Sequence, residues 1–297
     1  MKKPILKDED HAPRVLLIGL GRFGEHHFRV LLKLETENAI RFAGVIVRNK
    51  KQRQKIEAEF GVKTYEKITP TLLKSVDAVD IVTPPETHFE IVKKCLLYTN
   101  VFVEKPLTTK SLNARKLELL ALKHKRVLTV GHIFRYHPVT EKLKELLGKK
   151  NMPKKIIGAF INPTSSDQGR EPSIELPHLF DVVDFIWHKE PELVSARADS
   201  RTSIVNIRYG RYHDARFVLG WNGDEKRRTI KFRYPDYTID ADFVSNIIIY
   251  KKGTVSKTYQ CPPKQELLHK ELSDFIVTLL DDKNKVGAPI GAHIVSI

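Results

Sequence analysis

The stretch Val15-Leu16-Leu17-Ile18-Gly19-Leu20-Gly21-Arg22-Phe23-Gly24 decides how the chain is read. An apolar run ends in glycines, and apolar residues at helical spacing follow at once: Phe28, Leu31, Leu32 and Leu34. That order is strand, tight turn, helix. Gly19, Gly21 and Gly24 fill the three places of G-x-G-x-x-G. Gly19 allows the sharp turn off the strand. Gly21 lets backbone N–H groups approach a pyrophosphate with no Cβ in the way, and Gly24 lets the helix pack close to the sheet. Free N–H groups and the helix dipole favour negative charge at that end. The stretch therefore reads as a dinucleotide site, and Arg22 and Phe23, lying between the glycines, are counted with it.

Outward from the turn, strand and helix alternate. Strands are expected at 42–47, 78–82, 101–103 and 127–130, with helices at 51–60, 86–98 and 111–124. Such alternation implies parallel βαβ units and a doubly wound sheet. After residue 150 the texture changes to strands, at 156–161, 193–197, 204–209, 215–221, 229–232 and 245–250, interrupted by helices at 178–187 and 266–280. The fold class is α/β. An N-terminal Rossmann domain with a doubly wound parallel sheet is expected over 1–138. A C-terminal α+β domain with an open, largely antiparallel sheet is expected over 139–297.

The 297 residues suit about two domains, and 41% hydrophobic with 29% charged residues describes a globular chain. No apolar run approaches the ~20 residues of a membrane span, and the charged start lacks the apolar core of a secretory signal. Two cysteines, Cys95 and Cys261, make neither a disulfide framework nor a metal-ligand spacing. A cytoplasmic setting with no membrane partner is the expectation. The net charge of +15 comes from dispersed lysines and arginines with no nucleic-acid-binding motif, so the excess reads as a solvated surface and no nucleic acid is expected as a partner.

The end of the second strand speaks to nucleotide choice. NAD-specific domains carry an acid there for the ribose 2′-OH. Here Val47 is followed by Arg48-Asn49-Lys50-Lys51. Arg48 suits a 2′-phosphate, by charge-assisted hydrogen bonds, and stacking on adenine. NADP(H) is preferred, with NAD(H) possible. At the carboxyl edge of the same sheet, Glu104-Lys105-Pro106 follows the strand at 101–103. A lysine there, held by its neighbouring carboxylate, can hydrogen-bond a substrate hydroxyl and ease proton transfer as hydride leaves.

Taken in order, Gly19 to Gly24, then Thr83-Pro84-Pro85 with His88, then Glu104-Lys105-Pro106, then Gly131-His132-Ile133-Phe134-Arg135-Tyr136-His137-Pro138 resemble the glucose–fructose oxidoreductase/inositol dehydrogenase (Gfo/Idh/MocA) family over nearly the whole chain. The resemblance implies NAD(P)-dependent hydride transfer at a hydroxyl or carbonyl of a sugar, cyclitol or nucleotide sugar, with assembly as a homodimer or homotetramer. It implies that Lys105 is the catalytic lysine. It implies that Thr83, Pro84, His88 and Glu104 line the nicotinamide half, with Arg135 near its end, and that Tyr136 or His137 faces substrate.

The family's second catalytic element is Asp-x-x-x-His at a helix start, often with another Asp three residues on. His178 and Asp181 fit its later part, and both are assigned to substrate. Ile174 stands where the Asp is expected, with Glu175 one residue away. His178, with an ordinary pKa near 6.5, is the candidate general acid/base. His188, His213, His269 and His293 have no partner pattern, and no metal site is expected. The altered Asp position leaves two alternatives: reduction of a non-sugar double bond, as in the biliverdin reductase branch, or a nucleotide-binding sensor with weakened turnover.

Overall fold

The computed structural model describes residues 12–148, 150–163, 172, 177–189, 191–221 and 223–281. The chain forms two compact units: residues up to His132 together with those from Leu268 onward, and residues Ile133–Leu267.

The first unit is built on a six-stranded parallel sheet of order β3-β2-β1-β4-β5-β6. Its strands are β1 (Arg14–Ile18), β2 (Arg41–Ile46), β3 (Thr64–Tyr65), β4 (Ala78–Ile81), β5 (Asn100–Val103) and β6 (Leu128–Val130). Helices α1 (Gly24–Thr36), α2 (Lys50–Phe60), α3 (Pro70–Lys74), α4 (Pro85–Leu96) and α5 (Ser111–His124) connect them. The order turns back between β1 and β4, the switch point at which doubly wound folds bind ligands beyond the carboxyl strand ends. Every residue of β4 is buried, as befits a parallel strand covered on both faces. The core joins Leu16, Ile18, Val79 and Val101 to Val92 and Leu117 of the helices.

The second unit carries an eight-stranded sheet of order β14-β13-β12-β11-β7-β10-β9-β8. It comprises β7 (Lys155–Ile161), β8 (Glu192–Ala198), β9 (Thr202–Tyr209), β10 (His213–Gly220), β11 (Arg227–Arg233), β12 (Thr238–Asp242), β13 (Ile247–Lys252) and β14 (Val255–Gln260). Only the β7–β10 pair is parallel among its neighbours. A 3-10 helix (Ile133–Tyr136), α6 (Pro138–Leu147) and α7 (His178–Trp187) complete the unit. Along β7, Ile156, Gly158 and Phe160 are buried while Ile157, Ala159 and Ile161 are half-buried. Helix α7 covers the buried set. A Cβ on Gly158 would meet Leu179 Cδ2 at 2.8 Å, and Phe180 meets Phe217 edge-on at 5.2 Å.

The last helix, α8 (Leu267–Leu280), departs from the sequence reading, which placed it in the second domain. It packs into the first unit. Phe275 lies against Phe102 with centroids 5.5 Å apart, and Glu271 accepts the His132 backbone N–H. His269 pairs with Glu37 at 2.8 Å. The first unit also ends at His132 rather than at residue 138, because α6 packs against α7 and the 3-10 helix of the second unit.

Candidate active site

Gly19 leaves β1 with φ +101°, a conformation that only glycine adopts without strain. Its N–H donates to the Ile46 carbonyl at 3.2 Å, which holds the turn against β2. A Cβ on Gly19 would lie 2.6 Å from the Val82 oxygen, and one on Gly24 would lie 2.5 Å from the Gly19 oxygen. Gly21 differs, for nothing lies within 4 Å of where its Cβ would be. The open space belongs to a cavity of about 810 Å³ at the carboxyl ends of β1, β2 and β4. Its walls include Gly19, Gly21, Val47, Arg48, Thr83 and Pro84. Bare backbone at the start of α1, facing a space of this size, fits a dinucleotide's pyrophosphate. Arg22 and Phe23 are exposed and are not among the residues that line the cavity, and Phe23 lies edge-on to His27 at 5.2 Å.

Arg48 is exposed and lines the same cavity. Asn49 caps α2 by accepting the Gln52 N–H at 3.1 Å, and the Gln52 side chain reaches back to the Leu20 carbonyl at 2.9 Å. The glycine turn and the α2 start are thereby tied together. The sequence reading did not single out Gln52, Glu66, Lys67 or Lys94, which also line this space. They come from loops and helices whose sequence carries no periodic signal for the site.

Beside the cavity, His88 on α4 is fully buried. Its ring nitrogens lie 2.7 Å from the Thr83 oxygen and 2.8 Å from the Pro106 oxygen. Burial lowers its pKa, against the two carbonyls. The side chain therefore braces two loops, the one after β4 and the one after β5. Thr83 is half-buried, and its hydroxyl accepts from Thr87 at 2.8 Å. Glu104 accepts the Lys105 N–H at 3.1 Å, and Lys105 is half-buried. The Lys105–Pro106 bond is cis.

A feature missed in the sequence lies behind Glu104. His27, on the buried face of α1, has Nδ1 2.8 Å from Asp80 Oδ2 and Nε2 3.3 Å from Glu104 Oε1. Burial alone would lower the His27 pKa. The Asp80 carboxylate, and Glu104 after it, overcome that and raise it to about 10. His27 thus bridges Asp80 and Glu104 behind the Glu-Lys-Pro turn, while burial raises the Asp80 pKa against the pull of His27. A signal was present: Asp80 is an acid inside an otherwise apolar strand, and a fully buried carboxylate calls for a partner.

The second unit holds the remaining candidates. His178 opens α7 and packs on Phe134 and Phe160, with centroids 4.5 and 6.0 Å away. Arg135 engages two carboxylates of α7, Asp181 at 2.6 Å and Asp184 at 3.2 Å. Burial disfavours its charge, but Asp181 more than compensates and raises the Arg135 pKa. Asp181 is fully buried in this ion pair, a placement that fixes α7 against the 3-10 helix. His137 caps α6 by accepting the Val139 N–H at 3.2 Å and is buried, stacked on Phe134. Tyr136 is half-buried. Ile174 and Glu175 lie outside the described residues. Among the described residues no cluster of His, Cys, Asp and Glu could hold a metal ion.

A glycine turn built for a pyrophosphate and a Glu-Lys-Pro turn at the carboxyl edge of the same sheet define a nicotinamide-dependent oxidoreductase. Residues 13–132 match the oxidoreductase family with an NAD-binding Rossmann fold, Gfo/Idh/MocA. UDP-N-acetylglucosamine 3-dehydrogenase of Acidithiobacillus ferrooxidans is 31% identical over 251 residues, covering 81% of this chain and 77% of that protein. The scyllo-inositol 2-dehydrogenase (NAD(+)) of Bacillus subtilis is 28% identical over 173 residues, 57% of this chain and 49% of that protein. Among solved structures, the Acidithiobacillus enzyme superposes with a TM-score of 0.80 at 21% identity, covering 96% of this chain and 94% of its own. A 3-ketoreductase of Actinomadura kijaniata, in complex with NADP and TDP-benzene, does so with 0.79 at 18%, covering 96% and 95%. The chain belongs to the Gfo/Idh/MocA oxidoreductase family.

Proposed function

We propose that this enzyme uses NADP(H) in preference to NAD(H) to interconvert a hydroxyl and a carbonyl on a sugar, cyclitol or nucleotide sugar. The observation that carries the reading is the placement of Lys105 at the carboxyl end of β5. That is one strand from β4, whose following loop, with Thr83 and Pro84, walls the dinucleotide cavity. The identity to a UDP-N-acetylglucosamine 3-dehydrogenase favours the nucleotide sugar within that set.

The bound nicotinamide would supply the hydride-accepting or hydride-donating carbon. Lys105 hydrogen-bonds the substrate oxygen, and His178 is the second group proposed for proton exchange. The His27–Asp80 pair orients Glu104, and Glu104 orients the Lys105 backbone. Arg48 receives the 2′-phosphate through its planar donor fork. We place the enzyme in the cytoplasm, which suits two buried free cysteines, and propose a homodimer or homotetramer, which light scattering tests. No described helix is long and apolar enough to cross a membrane.

Fluorescence titration with NADPH and NADH, followed by turnover with UDP-N-acetylglucosamine and with free sugars, tests the reading. Lys105→Ala should lower kcat by about 10²–10⁴-fold while leaving NADPH affinity intact. Unchanged turnover in that variant would remove Lys105 from the chemistry. NADPH binding with no turnover on any sugar would favour a sensor.

A further inference from the structure

The cavity over the glycine turn has room for a cofactor, but it does not account for a half-buried cation in the second unit, whose Nε is buried. Arg228 sits on β11, cross-strand from Phe160. Its guanidinium carbon lies 5.2 Å from the Phe134 ring centroid and 5.5 Å from that of Phe160. Those are the two rings on which His178 packs. A guanidinium and the candidate acid/base thus share one aromatic floor.

The pairing of Arg228 is incomplete. Nη2 donates to Asn162 Oδ1 at 3.3 Å. Nε is buried with no acceptor. Among the described residues no carboxylate forms an ion pair with it, whereas Arg135, Arg53 and Arg233 each have one. Guanidinium offers five donors in a fixed fork, and stacking on phenyl rings satisfies none of them. Buried charges in folded proteins are paired, because an unpaired one loses hydration without return.

Further positive charge converges here. The Lys226 ammonium is held below its usual range by the Arg228 charge first, then by burial and by Lys264. The His137 imidazole is pushed down to about 4 by burial, then by Lys264 and Arg228. It is therefore neutral near pH 7 and does not add to the repulsion. Lys226 and Lys264 are exposed while Arg228 is half-buried, so the charges lead from solvent to the floor shared with His178.

We infer that Arg228, with Lys226 and Lys264, receives a phosphoryl group of the substrate, the diphosphate of a nucleotide sugar, and so selects nucleotide-linked sugars over free ones. The inference rests on the oxidoreductase reading above and adds the part of the substrate it grips. Planar two-point hydrogen bonding to phosphate oxygens is what the vacant edge of the fork suits.

Calorimetric titration of the NADP-saturated enzyme with UDP, with inorganic pyrophosphate and with glucuronate tests it. UDP and pyrophosphate should bind and glucuronate should not. Arg228→Gln should weaken UDP by roughly tenfold to a hundredfold, the loss expected for hydrogen bonds to a charged group. Its NADPH affinity should be unchanged. If that variant does not fold, Lys226→Gln and Lys264→Gln, both at exposed positions, should each weaken UDP several-fold. Equal UDP affinity in the folded variants, no UDP binding to the unaltered enzyme, or a glucuronate response in its place would overturn the assignment. Loss of NADPH binding with the UDP response intact would instead sink the oxidoreductase reading and leave the anion site standing.

Discussion

A Cβ added at Gly24 would fall 2.5 Å from the Gly19 carbonyl oxygen, whereas one added at Gly21 would point into open space. The two glycines of one motif thus differ in their surroundings, one held by close packing and the other open to the cavity. Gly24→Ala should cost about 1–3 kcal/mol of stability, the range for overpacking, read by urea unfolding. Gly21→Ala should leave the unfolding midpoint near that of the unaltered protein and weaken NADPH in a fluorescence titration. Equal destabilisation by both would contradict this division. His27 is a subtler case. Its raised pKa of about 10, against an ordinary 6.5, means that the folded state holds a proton that the unfolded chain releases. That contribution to stability is fully present below about pH 6.5, declines as pH rises, and is gone above about pH 10. Melting temperatures should therefore fall across that window, and His27→Gln should flatten this part of the profile while lowering stability overall. Breaking a buried pair costs about 3–5 kcal/mol. The glycine turn and the Glu-Lys-Pro turn after β5 were legible because each is local in sequence. The His27–Asp80–Glu104 chain was not, since its members lie 53 and 24 residues apart and meet only in the folded sheet.

At the scale of elements, α8 shows where chain order misleads. Its apolar residues were visible in the sequence, but periodicity says only that a face is buried, not against what. Leu272, Phe275 and Ile276 are all buried, in a unit otherwise complete by residue 132. Phe275→Ala should lower stability by about 3–5 kcal/mol, the usual cost of truncating a core aromatic. It should also weaken NADPH binding, because Phe275 supports Phe102 in the strand that leads to Lys105. A variant with the unaltered protein's unfolding midpoint would show that α8 is dispensable to that unit. Three strands, the two-residue β3 and the longer β12 and β14, were not read from the sequence at all. Thr238-Ile239-Asp240-Ala241-Asp242 alternates acids with apolar residues, and acids argue against a strand. The structure answers with cross-strand cations: Lys231 lies 3.6 Å from Asp240, and Arg233 pairs with it on the same face. β14, Val255–Gln260, is exposed at five of its six positions, so no burial pattern betrayed it. The rest of the parallel sheet was readable because β1, β2, β4, β5 and β6 are apolar runs, and all but β2 are ended by Gly or Pro turns.

Charge belongs to the whole molecule. The excess of 51 lysines and arginines over 36 acids leaves +15, and some of it surrounds the cavity over the glycine turn, where Arg48, Lys67 and Lys94 outnumber Glu66. The Lys94 ammonium is drawn to the Ile68 carbonyl at 2.6 Å, and Arg53 lies 3.5 Å from Glu66. Glu66 is therefore partly offset, and Arg48 is left as the exposed cation at the end of β2. NADPH differs from NADH by one phosphate, so this field acts on the difference between them. Raising ionic strength from about 0.01 M to about 0.15 M shortens the screening length from ~30 Å to ~8 Å. The NADPH dissociation constant should rise more than that of NADH over this range, because a longer-ranged attraction is removed from the more highly charged ligand. Arg48→Ala should do two things at once. It should reduce the NADPH-over-NADH preference by about tenfold or more, as loss of a charge-assisted hydrogen bond requires, and it should bring the two salt dependences closer together. If Arg48→Ala lowers the preference but leaves the salt difference intact, the preference is a contact effect, and the surrounding lysines supply the field. If neither changes, the second strand does not read the ribose phosphate, and the preference lies elsewhere on the cavity wall.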